Sequence, residues 1–249
     1  MMNGVDNENN IIKKIFEARK ELLVNKNISK AIIDLTALLQ ISDVENIYII
    51  KSILALAYME NKDYSKAAEI FNQVNGYYQA GFCELLQGNI DKAKEIWEKL
   101  PENSIVQWGT SLLGFIILDA KLSPSFLQIR NYLECDIAYL IKADKLNYAE
   151  NLIAYSEFLA SIHPEAYKFI GKALFNTGYP NLAMNYYNKG KDFIPNDAEI
   201  YYLIAQYFYG QNSLPEAKQS LKKCLSLNKS YVPAKELLEF IETKARFKK

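Results

Sequence analysis

The chain has 249 residues, 50% of them hydrophobic, and its 29 basic and 29 acidic residues give a formal net charge of zero. This composition excludes a disordered chain, and the charge balance disfavours a nucleic-acid surface, which usually needs excess positive charge. The three cysteines are dispersed and odd in number, which disfavours a disulfide framework. We therefore predict a folded protein of the reducing cytoplasm.

The N-terminal segment, residues 1–10, is polar and rich in asparagine, and it lacks apolar periodicity, which predicts a flexible lead-in. Lys13, Lys14 and Glu17 interrupt the apolar stretch that follows, so we expect neither a signal peptide nor a membrane span. Apolar residues at helical spacing then predict a first hairpin of two helices up to about residue 39. In this hairpin Arg19 occupies the position where later hairpins carry a small residue.

Two stronger hairpins follow up to residue 101. In each of them two small residues lie 12 positions apart, Ala55 with Ala67 and Gly81 with Ala93. Where helices cross at about 8–10 Å, only a short side chain lets the backbones approach, so each pair predicts a crossing. The step from Ala67 to Ala93 is only 26 residues, which predicts a shortened connection between the two hairpins.

The pattern weakens between residues 102 and 162, after Pro101, which is expected to end the preceding helix. Apolar spacing remains helical in four stretches, and the last two predict a further hairpin. These stretches are residues 108–117, 126–133, 137–141 and 149–159. Two interpretations stay open: a pair of degenerate repeats, or a spacer that divides two short arrays.

The clearest repeat lies in residues 163–229, where six positions recur after 34 residues. Tyr167, Ile170, Gly171, Leu174, Ala183 and Tyr187 return as Tyr201, Ile204, Ala205, Phe208, Ala217 and Leu221. A fixed period of this kind is typical of a solenoid of stacked hairpins. Residues 230–249 then predict a capping helix, whose basic end suits the last turn of a helix.

The recurring positions resemble the tetratricopeptide repeat family over residues 11–247, strongly in four repeats and weakly in three. The resemblance implies an all-α, right-handed superhelical solenoid of about seven stacked antiparallel helix hairpins with a C-terminal cap helix. It also implies a non-catalytic scaffold, adaptor or chaperone that binds a protein segment in a concave groove lined by the first helix of each hairpin.

By the family's register, thirteen residues are expected to line this groove and bind the partner. They are Phe16, Ser52, Leu56, Met59, Tyr78, Phe82, Leu85, Lys168, Lys172, Phe175, Tyr202, Gln206 and Tyr209. Because the N-terminal half of the set is apolar and aromatic, the expected partner is an amphipathic or hydrophobic segment. Acidic partner residues are expected to reach the two lysines, and Tyr78 and Phe82 to be replaceable by Ala without unfolding. Packing of these aromatics against neighbouring repeats is the open alternative.

Other functions are less well supported by the sequence. His163 is the single histidine and the glycines are dispersed, so we expect no catalytic triad, metal site, phosphate loop or cofactor. The lysine and asparagine clamp with which some family members hold chaperone C-termini is absent from the corresponding positions. A structural subunit of a larger assembly, such as a secretion or motility machine, is the main alternative. An RNA-binding helical repeat is the weaker one, because the tyrosines fall on packing positions.

Overall fold

A computed structural model describes residues 2–42, 44–98 and 104–246. Within these ranges the chain forms fifteen α-helices and no strand, which confirms the all-α prediction. The helices are α1 (Met2–Leu23), α2 (Ile28–Leu39), α3 (Val44–Glu60), α4 (Tyr64–Gln73), α5 (Tyr77–Gln87), α6 (Ile90–Glu98), α7 (Ser104–Ile116), α8 (Phe126–Lys142), α9 (Leu146–Ala154), α10 (Ser156–Ile162), α11 (Ala166–Asn176), α12 (Pro180–Phe193), α13 (Ala198–Gly210), α14 (Leu214–Leu227) and α15 (Val232–Arg246). Pro101, predicted to end a helix, and the basic residues Lys248 and Lys249 lie outside the described residues.

The chain forms two compact units. Unit 1 comprises Met1–Gly114 with Ala120–Leu122, and unit 2 comprises Phe115–Asp119 with Ser123–Lys249. In unit 1 the antiparallel hairpins α1/α2, α3/α4 and α5/α6 stack in chain order. In unit 2 the hairpins α8/α9, α11/α12 and α13/α14 are followed by α15, which packs on α14 as the predicted cap. Each unit is therefore a stack of helix hairpins.

Local sequence signals explain where several helices begin. The side chains of Asn27 and Asp63 accept hydrogen bonds from amides in the first turns of α2 and α4. Ser125 and Gln128 form a reciprocal capping box at the start of α8. Proline occupies the first turn of α12 and of α14. Proline lacks an amide hydrogen, and at these positions an amide hydrogen would have no intrahelical acceptor anyway.

The small residues that recur at fixed spacing lie at buried helix contacts. Ala55, Ala67, Ala93 and Ala183 have no exposed surface. A Cβ atom on Gly81 would overlap the indole of Trp97, and one on Gly171 would lie 2.5 Å from Cε1 of Tyr187. The close helix approach inferred from the sequence is thus confirmed.

The first hairpin differs from the expectation in its register. Ala18 is buried and Arg19 is exposed, so Ala18 and not Arg19 takes the small-residue position. The interval to its buried counterpart Ala31 is 13 residues instead of 12, and counting by 12 therefore selects the wrong residue. In addition, α1 begins at Met2, within the stretch expected to be a flexible lead-in.

The middle segment also departs from the prediction. The stretches 126–133 and 137–141, expected to be separate helices, form one continuous helix α8 of 17 residues. No glycine or proline occurs within α8, so the backbone has no reason to break there. Helix α8 forms a hairpin with α9, and the short α10 comes next in the chain. Helix α8 also packs directly against α11. Helix α8 thus belongs to unit 2, whereas most of α7 belongs to unit 1, and both interpretations of the segment, degenerate repeats or a spacer, stay predictions.

We expect Gly81→Ala to lower the free energy of unfolding by about 1–3 kcal/mol, because the new methyl group has to displace Trp97. Gly210→Ala is the matched control, since a Cβ atom at this last residue of α13 meets nothing within 4 Å. That variant should be neutral or stabilised by up to about 1 kcal/mol through helix propensity. Urea unfolding of both variants measures the difference, and equal effects would contradict the proposed crossing.

Candidate functional site

An exposed apolar strip runs along α3. Ile49 is 47% exposed and Leu56 is 39% exposed, and half-buried Ser52 lies between them at helical spacing. Ile53 on one side and Met59 on the other are buried, so the strip is the face of α3 left open between its packed neighbours. Ser52 and Leu56 were predicted as groove residues, whereas Ile49 was missed although its spacing of seven from Leu56 could have revealed it.

Two further exposed apolar residues lie on α1, a helix that contacts α3. Ile12 of α1 is 40% exposed, and Phe16 one turn later is 64% exposed. Phe16 stands two residues before the small residue Ala18, the same relation that buried Ile53 has to Ala55. Phe16 therefore occupies a position that packs between hairpins in α3, yet it is exposed in α1.

Four predicted groove residues of unit 1 are buried. Met59 is 5% exposed, Tyr78 6%, Phe82 2% and Leu85 0%, so their expected exposure in the groove is wrong. Packing against neighbouring repeats, the alternative left open by the sequence, describes them instead.

Tyr78 and Phe82 are buried because they belong to an aromatic cluster with Trp97 and Trp108 in unit 1. The Tyr78 ring stacks on Phe82 at 6.0 Å and on Trp97 at 5.7 Å between ring centroids. Its hydroxyl accepts a hydrogen bond of 3.1 Å from Nε1 of Trp108 on α7. Nε1 of Trp97 donates to the Tyr78 carbonyl at 3.3 Å. Helix α7 approaches closely here because it carries Gly109, whose absent side chain leaves space for the Trp97 ring.

In unit 2 the two predicted groove lysines are paired with carboxylates of the chain itself. The Lys168 ammonium lies 2.6 Å from Asp197, 3.0 Å from Glu199 and 3.3 Å from Glu165. The expectation that partner carboxylates reach this lysine is wrong, because its side chain is only 4% exposed and its donors are already used.

Lys172 lies one turn further along α11. Its ammonium is 3.0 Å from Glu134 of α8 and 3.6 Å from Glu199 of α13. This lysine is also paired within the chain, and the two lysines thereby tie α11 to α8 and α13. Burial opposes the charged form of Lys168, but hydrogen bonds to Asp197 and Glu199 outweigh it and raise the Lys168 pKa.

The other predicted groove residues of unit 2 are half-buried. The Gln206 amide donates to the Tyr202 hydroxyl at 3.0 Å, and the Tyr202 ring packs on Tyr231 at 5.3 Å. Tyr209 packs on Phe240 of α15 at 6.1 Å between centroids. Phe175, near the end of α11, is half-buried as well. Part of the surface of these residues is accessible to solvent, and their role in binding a partner stays a prediction.

Among the described residues, no three histidine, cysteine, aspartate or glutamate side chains come together in a way that could hold a metal ion. None of the helices described is both long enough and apolar enough to cross a membrane.

Comparison with known proteins gives sequence matches in both units. Two family models described as tetratricopeptide repeat match the chain, one at residues 164–197 and 198–231, the other at residues 53–78 and 75–104. These are the segments in which the sequence showed its strongest repeats. No curated protein matches the chain by sequence.

Solved structures that match the chain include a tetratricopeptide repeat protein from Parabacteroides merdae, at 16% identity and a TM-score of 0.39, with 94% of this chain and 99% of that one covered. A chain of an APC/C hetero-tetramer gives 16% identity and a TM-score of 0.39, and 93% of this chain spans 42% of its length. YrrB, described as a tetratricopeptide repeat protein with an unusual peptide-binding site, gives 15% identity and a TM-score of 0.34, with 82% and 97% covered.

Proposed function

Because the chain is a tetratricopeptide repeat protein, and so a protein-interaction scaffold, we propose that it is an adaptor or chaperone-like escort for another protein. The segment it holds is apolar or amphipathic and lies on the exposed strip of α3, formed by Ile49, Ser52 and Leu56, and extends to Ile12 of α1, a helix that contacts α3. Catalysis is no part of the proposed role. The proposed compartment is the cytosol, which the three free cysteines support.

The observation that carries the proposal is apolar exposure on a helix that is otherwise well packed. Ile49 and Leu56 remain 47% and 39% exposed, although Ile53 and Leu54 of the same helix are buried. Burying exposed aliphatic side chains contributes about 25 cal/mol per Å² of apolar surface. An amphipathic partner helix would supply such burial through residues at matching spacing.

A structural subunit of a larger assembly is the second candidate, and Phe16 favours it. This aromatic ring is 64% exposed at a position that is buried between hairpins in α3. A neighbouring protein that stacks on α1 would cover it as another hairpin does. An escort should release its partner, whereas a subunit should purify in a fixed ratio with its neighbours. Sedimentation of the native complex distinguishes these two outcomes.

We expect Leu56→Glu to reduce partner capture from native extract about tenfold, because a carboxylate would be desolvated within an apolar contact. Leu182→Glu is the matched control: Leu182 is 43% exposed against 39% for Leu56, but it lies on α12, the second helix of its hairpin. Quantitative mass spectrometry compares proteins bound by the wild type and both variants. Equal capture by the two variants would contradict the assignment, and unchanged melting temperatures would show that both are folded.

A further inference from the structure

Unit 2 contains an open cavity of about 490 Å³. It is lined by Phe126 at the start of α8, by residues 163–165 before α11, and by residues 193–197 between α12 and α13. Its volume falls in the range of about 300–1,000 Å³ typical of ligand sites. The walls are mainly apolar, with rings from Phe126 and Phe193 and with Ile194 and two prolines.

His163, the single histidine of the chain, lines this cavity and is 2% exposed. Phe126 stacks on one face of the imidazole at 3.8 Å between centroids, and Phe169 packs against it at 5.2 Å with the rings inclined by 63°. Nδ1 accepts a hydrogen bond of 3.2 Å from the amide of Glu165. The contacts of the ring therefore fix its orientation and engage one of its two nitrogens.

The other nitrogen, Nε2, is buried and has no hydrogen-bond partner among the described residues. Since Nδ1 accepts a bond, a neutral imidazole must carry its proton on Nε2, which makes Nε2 a donor. Burial lowers the pKa of His163 and so favours this neutral form. Buried donors are nearly always satisfied in folded proteins, and because His163 lines the cavity, a ligand bound there can supply an acceptor to Nε2.

The polar residues of the wall indicate the charge that the acceptor can carry. Glu165 and Asp197 both line the cavity, and Lys168 is the one cation that they share in the network described above. A further anion beside these carboxylates would be repelled. The fitting ligand is therefore an uncharged acceptor attached to an apolar group.

We propose that this cavity is a second peptide-binding site, which takes an apolar side chain of an extended segment while the adjoining backbone carbonyl accepts a hydrogen bond from Nε2 of His163. The site lies in unit 2, so it is independent of the strip on α3. Phe126 is 45% exposed and stacks on His163, so the proposed binding requires its ring to turn aside and admit the carbonyl.

The single histidine makes a direct test possible. The probe is N-acetyl-leucine methylamide, which carries an apolar side chain and two uncharged carbonyls. For a ligand of about 13 non-hydrogen atoms, ordinary ligand efficiency gives a dissociation constant of about 1 mM. In ¹⁵N-histidine-labelled full-length protein, the probe should shift the His163 Nε2 signal in a saturable way. N-acetyl-leucine, with its free carboxylate, should bind about tenfold more weakly.

Variants of His163 test the role of Nε2 as the hydrogen-bond donor. His163→Phe keeps an aromatic ring for Phe126 and removes Nε2, so ligand-detected NMR should show about tenfold weaker binding of the methylamide. His163→Gln restores an N–H donor and should recover part of the affinity. An unchanged Nε2 signal at about 20 mM probe, or equal affinity of the wild type and His163→Phe, would overturn the proposal, and far-UV circular dichroism establishes that the variants are folded.

Discussion

Replacing Tyr78 and Phe82 together by alanine is expected to unfold unit 1, not to remove a binding surface from a folded protein. Both side chains are nearly fully buried, and loss of a buried aromatic costs about 3–5 kcal/mol. Tyr78→Ala also leaves the Trp108 indole N–H without its acceptor. Two such losses are comparable with the whole stability of a typical domain, about 5–15 kcal/mol.

Tryptophan fluorescence measures this effect directly. The chain has two tryptophans, Trp97 and Trp108, and both belong to the aromatic cluster of unit 1. The double variant should therefore show red-shifted emission in the absence of urea. Phe16→Ala is the control, since Phe16 is 64% exposed and its loss should change stability by no more than about 0.5 kcal/mol. A double variant that unfolds at the same urea concentration as the wild type would contradict the stabilising role of the aromatic cluster.

Lys168→Met should lower the free energy of unfolding of unit 2 by about 3–5 kcal/mol. Lys168 is the shared cation of Glu165, Asp197 and Glu199, and its removal leaves these three carboxylates without that partner. The folded state raises the Lys168 pKa, so this stabilisation is complete below the unfolded pKa of about 10.4 and is lost only as the pH rises through the folded value. The difference from wild type should therefore stay constant between about pH 6 and pH 9.

Lys172→Met is the matched control for this effect. Lys172 has the same charge and lies one turn along the same helix, but its side chain is 28% exposed and its contacts are screened by solvent. We expect a loss of about 0–1 kcal/mol. Urea unfolding followed by far-UV circular dichroism, with hydrogen exchange of α11 and α13, compares the two variants. Equal losses of unfolding free energy in the two variants would show that the burial of Lys168 does not increase its contribution to stability.

The repeat period and the small residues were enough to predict hairpins and crossings. Gly81 with Ala93 and Gly171 with Ala183 are local pairs within one hairpin, and their spacing follows directly from helix and turn lengths. The same count failed in the first hairpin, because an interval of 13 between Ala18 and Ala31 moves the register by one residue. Only burial distinguishes Ala18 from Arg19.

The site was less predictable, because its accessibility depends on contacts between distant segments. Tyr78 occupies a groove position by register, yet Trp108, thirty residues later, contacts it from α7. Likewise, Lys168 meets Asp197 across 29 residues, and no periodic pattern indicates that the two form an ion pair. Ile49 and Leu56 remain open to solvent, and the spacing of such residues on one helix face is a signal that the sequence does contain.

The most direct test of partner binding on the α3 strip is photo-crosslinking in living cells. A benzophenone amino acid at position 56 should give discrete crosslinked products with a partner protein, because the side chain would lie within the contact. The same amino acid at position 182, of similar exposure on α12, should give none of these products. Identical products from both positions, or none from position 56 at any expression level, would contradict the account.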